Sequence, residues 1–245
     1  MTRAYAFFDV DGTLLTIKSM FAFHDHWYRH GPPPQGQAGA DEHADVSAIL
    51  RALTESGAPR EQVNRRYYEF FAGRSVEAVS ACANDWARQA LSDPGLFVPE
   101  VLDALTGLRQ RGVEPVFVSG SFMEILGPIA AHLGVQDVLA TRLIQARGTY
   151  TGRFEAPQTI GEGKAAALAS FLAQRGTPAQ DCWAFGDDAS DLPMLGAVGH
   201  PVAVIGDPAL AAIARSRDWR CLHVPQEGRP FRRSAGSLPR LERVG

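Results

Sequence analysis

Tyr5-Ala6-Phe7-Phe8-Asp9-Val10-Asp11-Gly12-Thr13 is a short apolar run that ends in two acids one residue apart, followed by a glycine and a hydroxyl. Such a run reads as a buried strand. The acids then fall at its carboxyl end, where open α/β sheets bind ligands. Two carboxylates in one loop repel each other, and they become stable together only when a cation or a proton is held between them. Asp and Gly are also common turn residues for ordinary backbone reasons, so Asp9 and Asp11 alone could merely shape a turn. Three further segments argue against that reading, because they supply the other parts that phosphoryl transfer through a carboxylate needs.

In Val116-Phe117-Val118-Ser119-Gly120-Ser121 a second apolar strand ends in a hydroxyl beside a glycine, just before the amphipathic segment 122–133. A hydroxyl and free backbone N–H groups at a strand-to-helix junction make an anion cradle. Gly161-Glu162-Gly163-Lys164 opens a helix over 164–174. A lysine at a helix start opposes the macrodipole, so it answers to something anionic. This is not a phosphate-binding P-loop, because Gln158 and Ala165 replace the glycine and the hydroxyl that such a loop requires. The strand Cys182-Trp183-Ala184-Phe185-Gly186 ends in Asp187, Asp188 and Asp191. With the first loop these acids form a hard, oxygen-rich cation site. Magnesium suits it best, since it takes one or two carboxylates, keeps several waters and binds substrate phosphate.

In this order the four segments resemble the four motifs of the haloacid dehalogenase superfamily of phosphohydrolases. Asp9 to Thr13 and the run Gly186-Asp187 to Asp191-Leu192-Pro193-Met194-Leu195 carry the likeness most specifically, while Ser119 and Lys164 strengthen it by falling in register. The likeness spans about residues 3–225, and the part most similar to the phosphoserine phosphatase branch is Val118 to Lys164 with the helical insert. It implies that Asp9 attacks phosphorus to give an aspartyl-phosphate, and that Asp11 protonates the leaving group and later takes a proton from water. It implies magnesium held by the Asp9 carboxylate, the Asp11 backbone carbonyl and Asp187, with Asp191 in support. Thr13, Ser119, Gly120 and Lys164 would cradle the phosphoryl oxygens. Asp11 must be protonated when substrate binds, which neighbouring carboxylates favour.

Three positions depart from the pattern. Asp188 and Ser190 stand where the branch commonly has Gly and Asn. Lys18 stands where phosphoserine phosphatases place a glutamate that meets the substrate ammonium. A lysine would repel that ammonium, which disfavours phosphoserine and favours a leaving group that is anionic or rich in hydroxyls.

Composition agrees with an enzyme. The formal charge of -3 gives no electrostatic reason to expect nucleic acid as partner. No apolar run approaches the roughly 20 residues that span a bilayer, and no signal-peptide pattern is evident. Cys82, Cys182 and Cys221 are odd in number and lack metal spacing, so they read as reduced thiols of a cytoplasmic protein.

Periodicity places helices near 19–30, 44–56, from Pro59 onward and from Ser75 towards Leu91. The Pro/Gly-rich stretch 31–39 reads as a mobile loop. Helix and strand patterns then alternate, with strands near 115–118, 137–141, 182–186, 201–205 and 220–224 and a hairpin over 143–154 turning at Arg147-Gly148. The expected architecture is α/β: a Rossmann-like parallel-sheet core from residues 1–16 and 92–225, an inserted all-helical cap over 17–91, and a flexible tail over 226–245, which holds five arginines. His24, His26 and His30 are poorly spaced to share one helix face, so packing or substrate contact is expected of them rather than a second metal. Phe21, Phe23, Trp27, Tyr67 and Tyr68 are expected mainly in the core. Arg51, Arg65 and Arg66 are candidates to grip a second anionic group of the substrate. The expected function is a magnesium-dependent phosphatase acting on a small phosphorylated metabolite. A phosphotransferase with the same intermediate and a non-catalytic binding module are the alternatives, and oligomeric state is left open.

Overall fold

A computed structural model describes residues 3–32, 37–205 and 208–224. Strands β1 (Tyr5–Asp9), β2 (Glu114–Phe122), β3 (Asp137–Thr141), β6 (Trp183–Gly186), β7 (His200–Ile205) and β8 (Arg220–His223) form one sheet in the order β3-β2-β1-β6-β7-β8. Every neighbouring pair is parallel. A parallel sheet needs helices on both faces, and its strands are apolar on both sides. All five residues of β1 are buried. Tyr5 and Phe7 point to one face, where Phe7 meets Phe171 edge-on at 5.6 Å; Phe8 points to the other and stacks on Phe185 at 4.5 Å. This alternation anchors the strand firmly, so the Asp9 that follows is placed by packing.

Between β1 and β2 come helices α1 (Ser19–His30), α2 (Gln37–Glu55), α3 (Arg60–Glu69), α4 (Val76–Leu91) and α5 (Pro99–Gln110). Ser75 caps α4 by accepting from the Ala78 N–H at 3.3 Å. Helix α2 begins seven residues earlier than the periodicity suggests, at Gln37, within the stretch expected to be a loop. Alanines with Gln, Glu and Asp outweigh the cost of one glycine, which is only about 1 kcal/mol. Residues 33–36 of that stretch and the tail from Gln226 lie outside the described residues.

Helix α6 (Met123–His132) follows β2, and β4 (Leu143–Ala146) and β5 (Thr149–Phe154) form the expected hairpin. Arg147 and Gly148 both have positive φ, 51° and 77°, as a two-residue hairpin turn demands. The hairpin is tied to the helical insertion by backbone bonds Gly73 N–H to Tyr150 O at 2.8 Å and Val76 N–H to Gly148 O at 3.0 Å. Aromatic rings bridge the insertion and the sheet as well: Phe122 lies 6.1 Å from Phe23 and 5.3 Å from Phe71. Helices α7 (Glu162–Arg175), α8 (Leu192–Gly196) and α9 (Pro208–Ser216) complete the fold. Among the described residues no helix is long and apolar enough to cross a membrane. Cys82 and Cys182 are buried and Cys221 half-buried, all three as free thiols.

Candidate active site

From β1 the sheet grows to β2 and β3 on one side and through β6 to β8 on the other. The crevice at the carboxyl ends of β1 and β6 is therefore a topological switch point, where open parallel sheets leave room for a ligand. Asp9 ends β1, and Asp187 follows β6 directly.

Lys164, in the first turn of α7 and only 4 % exposed, donates to Asp9 Oδ1 and to Asp191 Oδ1, each at 2.5 Å. The misplaced lysine is thus answered by two carboxylates. Asp191 Oδ2 accepts from the backbone N–H groups of Asp187 at 3.1 Å and Asp188 at 3.2 Å, which holds the fourth loop in shape. Thr13 Oγ1 stands 3.1 Å from Asp9 Oδ2 and 2.9 Å from Asp187 Oδ1, and its single proton serves one of them at a time. Asp11 Oδ1 accepts from the Ser19 N–H at 3.0 Å. Ser119 is buried, and its Oγ accepts from the Ser121 N–H at 3.0 Å.

The carboxylates of the first loop are driven apart in ionisation. Burial alone would raise Asp9, but Lys164 and Lys18 beside it bring it below the usual range. Asp11 is raised, chiefly by burial, with Asp9 adding a smaller push. Burial, rather than the neighbouring carboxylates expected from the sequence, is thus the main cause. Burial also raises Asp187, and it lifts Asp191 to about 7 with Asp9 and Asp187 adding to the rise and Lys164 opposing it. Oxygens of Asp9, Asp187 and Asp191 all lie within 4.8 Å of one another, a hard donor set of the kind magnesium accepts. Both Asp191 oxygens receive hydrogen bonds from within the protein, and one of their donors is the Lys164 ammonium that also holds Asp9.

One short helix reaches three of the loops that build the site. Arg60, Asn64 and Tyr68 recur at i, i+4 and i+8 on α3, which sets them on one stripe. Arg60 pairs with Asp188 Oδ2 at 2.9 Å and lies 3.4 Å from Ser190 Oγ. Asn64 donates to the Gly120 carbonyl at 3.1 Å, and the Tyr68 hydroxyl donates to the same oxygen. Gln158, ahead of α7, donates to the Glu61 carbonyl at 2.9 Å. A Cβ on Gly120 would lie 2.7 Å from Ile160 Cγ1 and 3.0 Å from Asn64 Nδ2, so only glycine lets these pieces close up.

A family model described as haloacid dehalogenase-like hydrolase matches residues 6–196, which contain all of these loops and α3. The chain belongs to the haloacid dehalogenase-like hydrolases. This hydrolase is 34% identical over 223 residues to a probable phosphatase of Mycobacterium tuberculosis, covering 90% of the chain and 75% of that protein. Among solved structures it is similar to a protein with unknown function from Bordetella pertussis Tohama I, with TM-score 0.78, 28% identity and coverage of 91% of this chain and 99% of that one. It shares its fold with a substrate-bound phosphoserine phosphatase, with TM-score 0.64, 21% identity and coverage of 95% and 96%.

In this hydrolase two of the three departures from the family pattern have a common partner. Asp188 and Ser190 both face Arg60, so the extra negative charge is matched by a guanidinium from the insertion. Sequence reasoning missed Arg60, whose role depends on a contact 128 residues away. The arginines it nominated lie elsewhere. Arg65 sits over the Phe154 ring at 5.1 Å, Arg66 pairs with Glu69 at 2.6 Å, and Arg51 is exposed. Lys18 is half-buried and turned inward, its ammonium donating to the Asp11 main-chain oxygen. Of the three histidines of α1, His24 diverges from His26 as expected, whereas His26 and His30 lie ring to ring at 4.5 Å. His24 lies 4.0 Å from Asp25, which binds His43 of α2 at 2.9 Å, while His26 faces Asp85 at 3.2 Å. Phe23, Trp27, Tyr67 and Tyr68 are buried. Of these, Tyr68 also touches the second loop of the site through its hydroxyl.

Proposed function

We propose that this hydrolase is a magnesium-dependent phosphatase that cleaves the phosphate monoester of a small metabolite through an aspartyl-phosphate on Asp9. The observation that carries the reading is the split between two carboxylates of one loop. Asp9 is shifted towards its ionised form by Lys164, and Asp11 is shifted towards its protonated form by burial. Pairs of acids whose environments drive them apart mark a nucleophile and a general acid. The name of the Mycobacterium tuberculosis relative supports the same reaction class.

In the first half-reaction an Asp9 oxygen attacks phosphorus, the bond to the leaving oxygen breaks, and Asp11 gives that oxygen its proton. In the second, water attacks phosphorus, Asp11 takes its proton, and the Asp9–phosphorus bond breaks to release inorganic phosphate. Lys164 and the hydroxyls of Thr13 and Ser119, with the backbone at Gly120, hold the phosphoryl oxygens. The Asp9 and Asp187 carboxylates and the Asp11 carbonyl would hold magnesium, which supplies positive charge against the phosphoryl oxygens. Residues 17–91 act as a cap whose α3 closes over the crevice and excludes water. The leaving group is anionic or hydroxyl-rich rather than the ammonium-bearing serine released from phosphoserine.

The test is release of inorganic phosphate from phosphoserine, sugar phosphates and an amino-alcohol phosphate, with magnesium or with EDTA. Turnover that EDTA abolishes and that is poor on phosphoserine is expected. A folded protein that is silent on the whole panel sinks the reading, and phosphate appearing on an added alcohol would reassign it to phosphotransfer.

Arg60 carries a second expectation. Its side chain is half exposed, so Arg60→Gln should change stability by less than about 1 kcal/mol. Its charge faces Asp9, Asp187 and Asp191, where the substrate would lie. KM should therefore rise about tenfold, the size of one charge-assisted hydrogen bond of ~1.5 kcal/mol, with kcat much less affected. Steady-state kinetics alongside thermal unfolding separates the two effects.

A further inference from the structure

We propose that the Lys18 ammonium is the resident counter-cation of the acidic site, and that a divalent cation binds there only by displacing it. This rests on the reading of the crevice as a cation site. Lys18 directly precedes α1, and its ammonium donates to the Asp11 main-chain oxygen. The same ammonium lies near Asp187. A Cβ built on Gly12 would meet Lys18 Nζ at 2.8 Å and the two Asp187 oxygens at 2.7 and 3.1 Å, so amine and carboxylate crowd one face of that glycine. Gly12 has φ +100°, and any side chain there would be strained and would push one of them aside. The field of Lys18 is felt at Asp9, Asp11, Asp187 and Asp188.

Two ammonium groups therefore neutralise this cluster, and they differ in how firmly they are held. Lys164 is 4 % exposed and fixed by two carboxylates at 2.5 Å each. Lys18 is half-buried and, among the described residues, makes one hydrogen bond, to a main-chain oxygen, at the end of a flexible four-carbon stem. A divalent ion arriving among Asp9, Asp187 and the Asp11 carbonyl would meet Lys18 as a like charge within a few ångströms. Lys18, not Lys164, is the cation that can swing away. The position that distinguishes this chain from the phosphoserine phosphatase pattern thus also sets how readily the site loads.

The experiment is calorimetric titration of Mg2+ into the EDTA-stripped, full-length protein for wild type, Lys18→Met and Lys18→Arg. Lys18→Met should bind Mg2+ about tenfold more tightly, since one short-range repulsion is gone. Lys18→Arg keeps the charge and should stay near wild type. In EDTA the Lys18→Met protein should melt below wild type, because its carboxylates have lost a counter-ion; in saturating Mg2+ the gap should close. If Lys18→Met does not fold, Lys18→Gln serves the same comparison. Unchanged or weaker Mg2+ affinity in the neutral variant overturns the displacement while leaving the cation site standing. Absence of Mg2+ binding in wild type and variants alike overturns both.

Discussion

Asp9→Asn should abolish phosphate release, with kcat falling by at least about three orders of magnitude, while the fold is kept. The carboxamide has nearly the same shape as the carboxylate and keeps an oxygen to accept from Lys164 or Thr13, so β1 and its packing are undisturbed. What disappears is the anionic nucleophile, and no neighbour can replace it. Asp11 is shifted by burial towards its protonated form, Asp187 lies in a different loop, and both Asp191 oxygens are engaged by Lys164 and two backbone N–H groups. The loss should be far greater than that from Arg60→Gln, which touches the rim of the site. Phosphate release under saturating substrate, with circular dichroism and thermal unfolding as controls, measures it. Residual turnover within tenfold of wild type would remove Asp9 from the nucleophilic role and favour a binding module over an enzyme.

Lys164→Met should produce the largest loss of stability among single substitutions at the site. Asp9 and Asp191 are 6 % and 1 % exposed, and the lysine is the charge that balances them both. Breaking a buried ion pair by removing one partner costs about 3–5 kcal/mol, because the remaining charge stays buried without compensation. For a chain of this size that corresponds to a fall in Tm of roughly 10 °C. The cost should depend on pH in a definite direction. Asp191 already ionises near 7, well above its value in an unfolded chain, and losing Lys164 raises it further. An acid whose folded pKa is raised is tolerated below its unfolded pKa, and stability is lost as pH rises through the folded value. In EDTA the variant should therefore be more destabilised at pH 8 than at pH 6. Equal melting curves for variant and wild type at pH 8 would show that the pair contributes nothing to folding.

Much of the sheet is legible in the sequence because each strand is an apolar run closed by a turn residue, and each crossover helix repeats at helical spacing. Tyr5 to Asp9, Trp183 to Gly186 and the hairpin at Arg147-Gly148 can be read locally, since their signals lie within a few residues. Helix α2 is harder. Gly39 and the prolines before it outweigh, to a reader of composition, the helix-forming residues around them. The acids of the site announce themselves by type and spacing. The cause of their ionisation does not, because burial belongs to the packed chain and not to any segment of it.

The parallel α/β class, the order of the four loops and the identity of the acids and the lysine within them follow from the chain alone, since hydrophobic period and turn chemistry are local properties. Which groups meet is settled by packing in three dimensions. Arg60 finds Asp188 and Ser190 across 128 and 130 positions, Tyr68 and Asn64 share the Gly120 carbonyl, and Lys18 turns inward to the Asp11 carbonyl. These contacts depend on how the helical insertion docks against the sheet and the hairpin. That docking is set by shape and burial summed over many residues, such as Phe23, Phe71 and Phe122, and no motif encodes it.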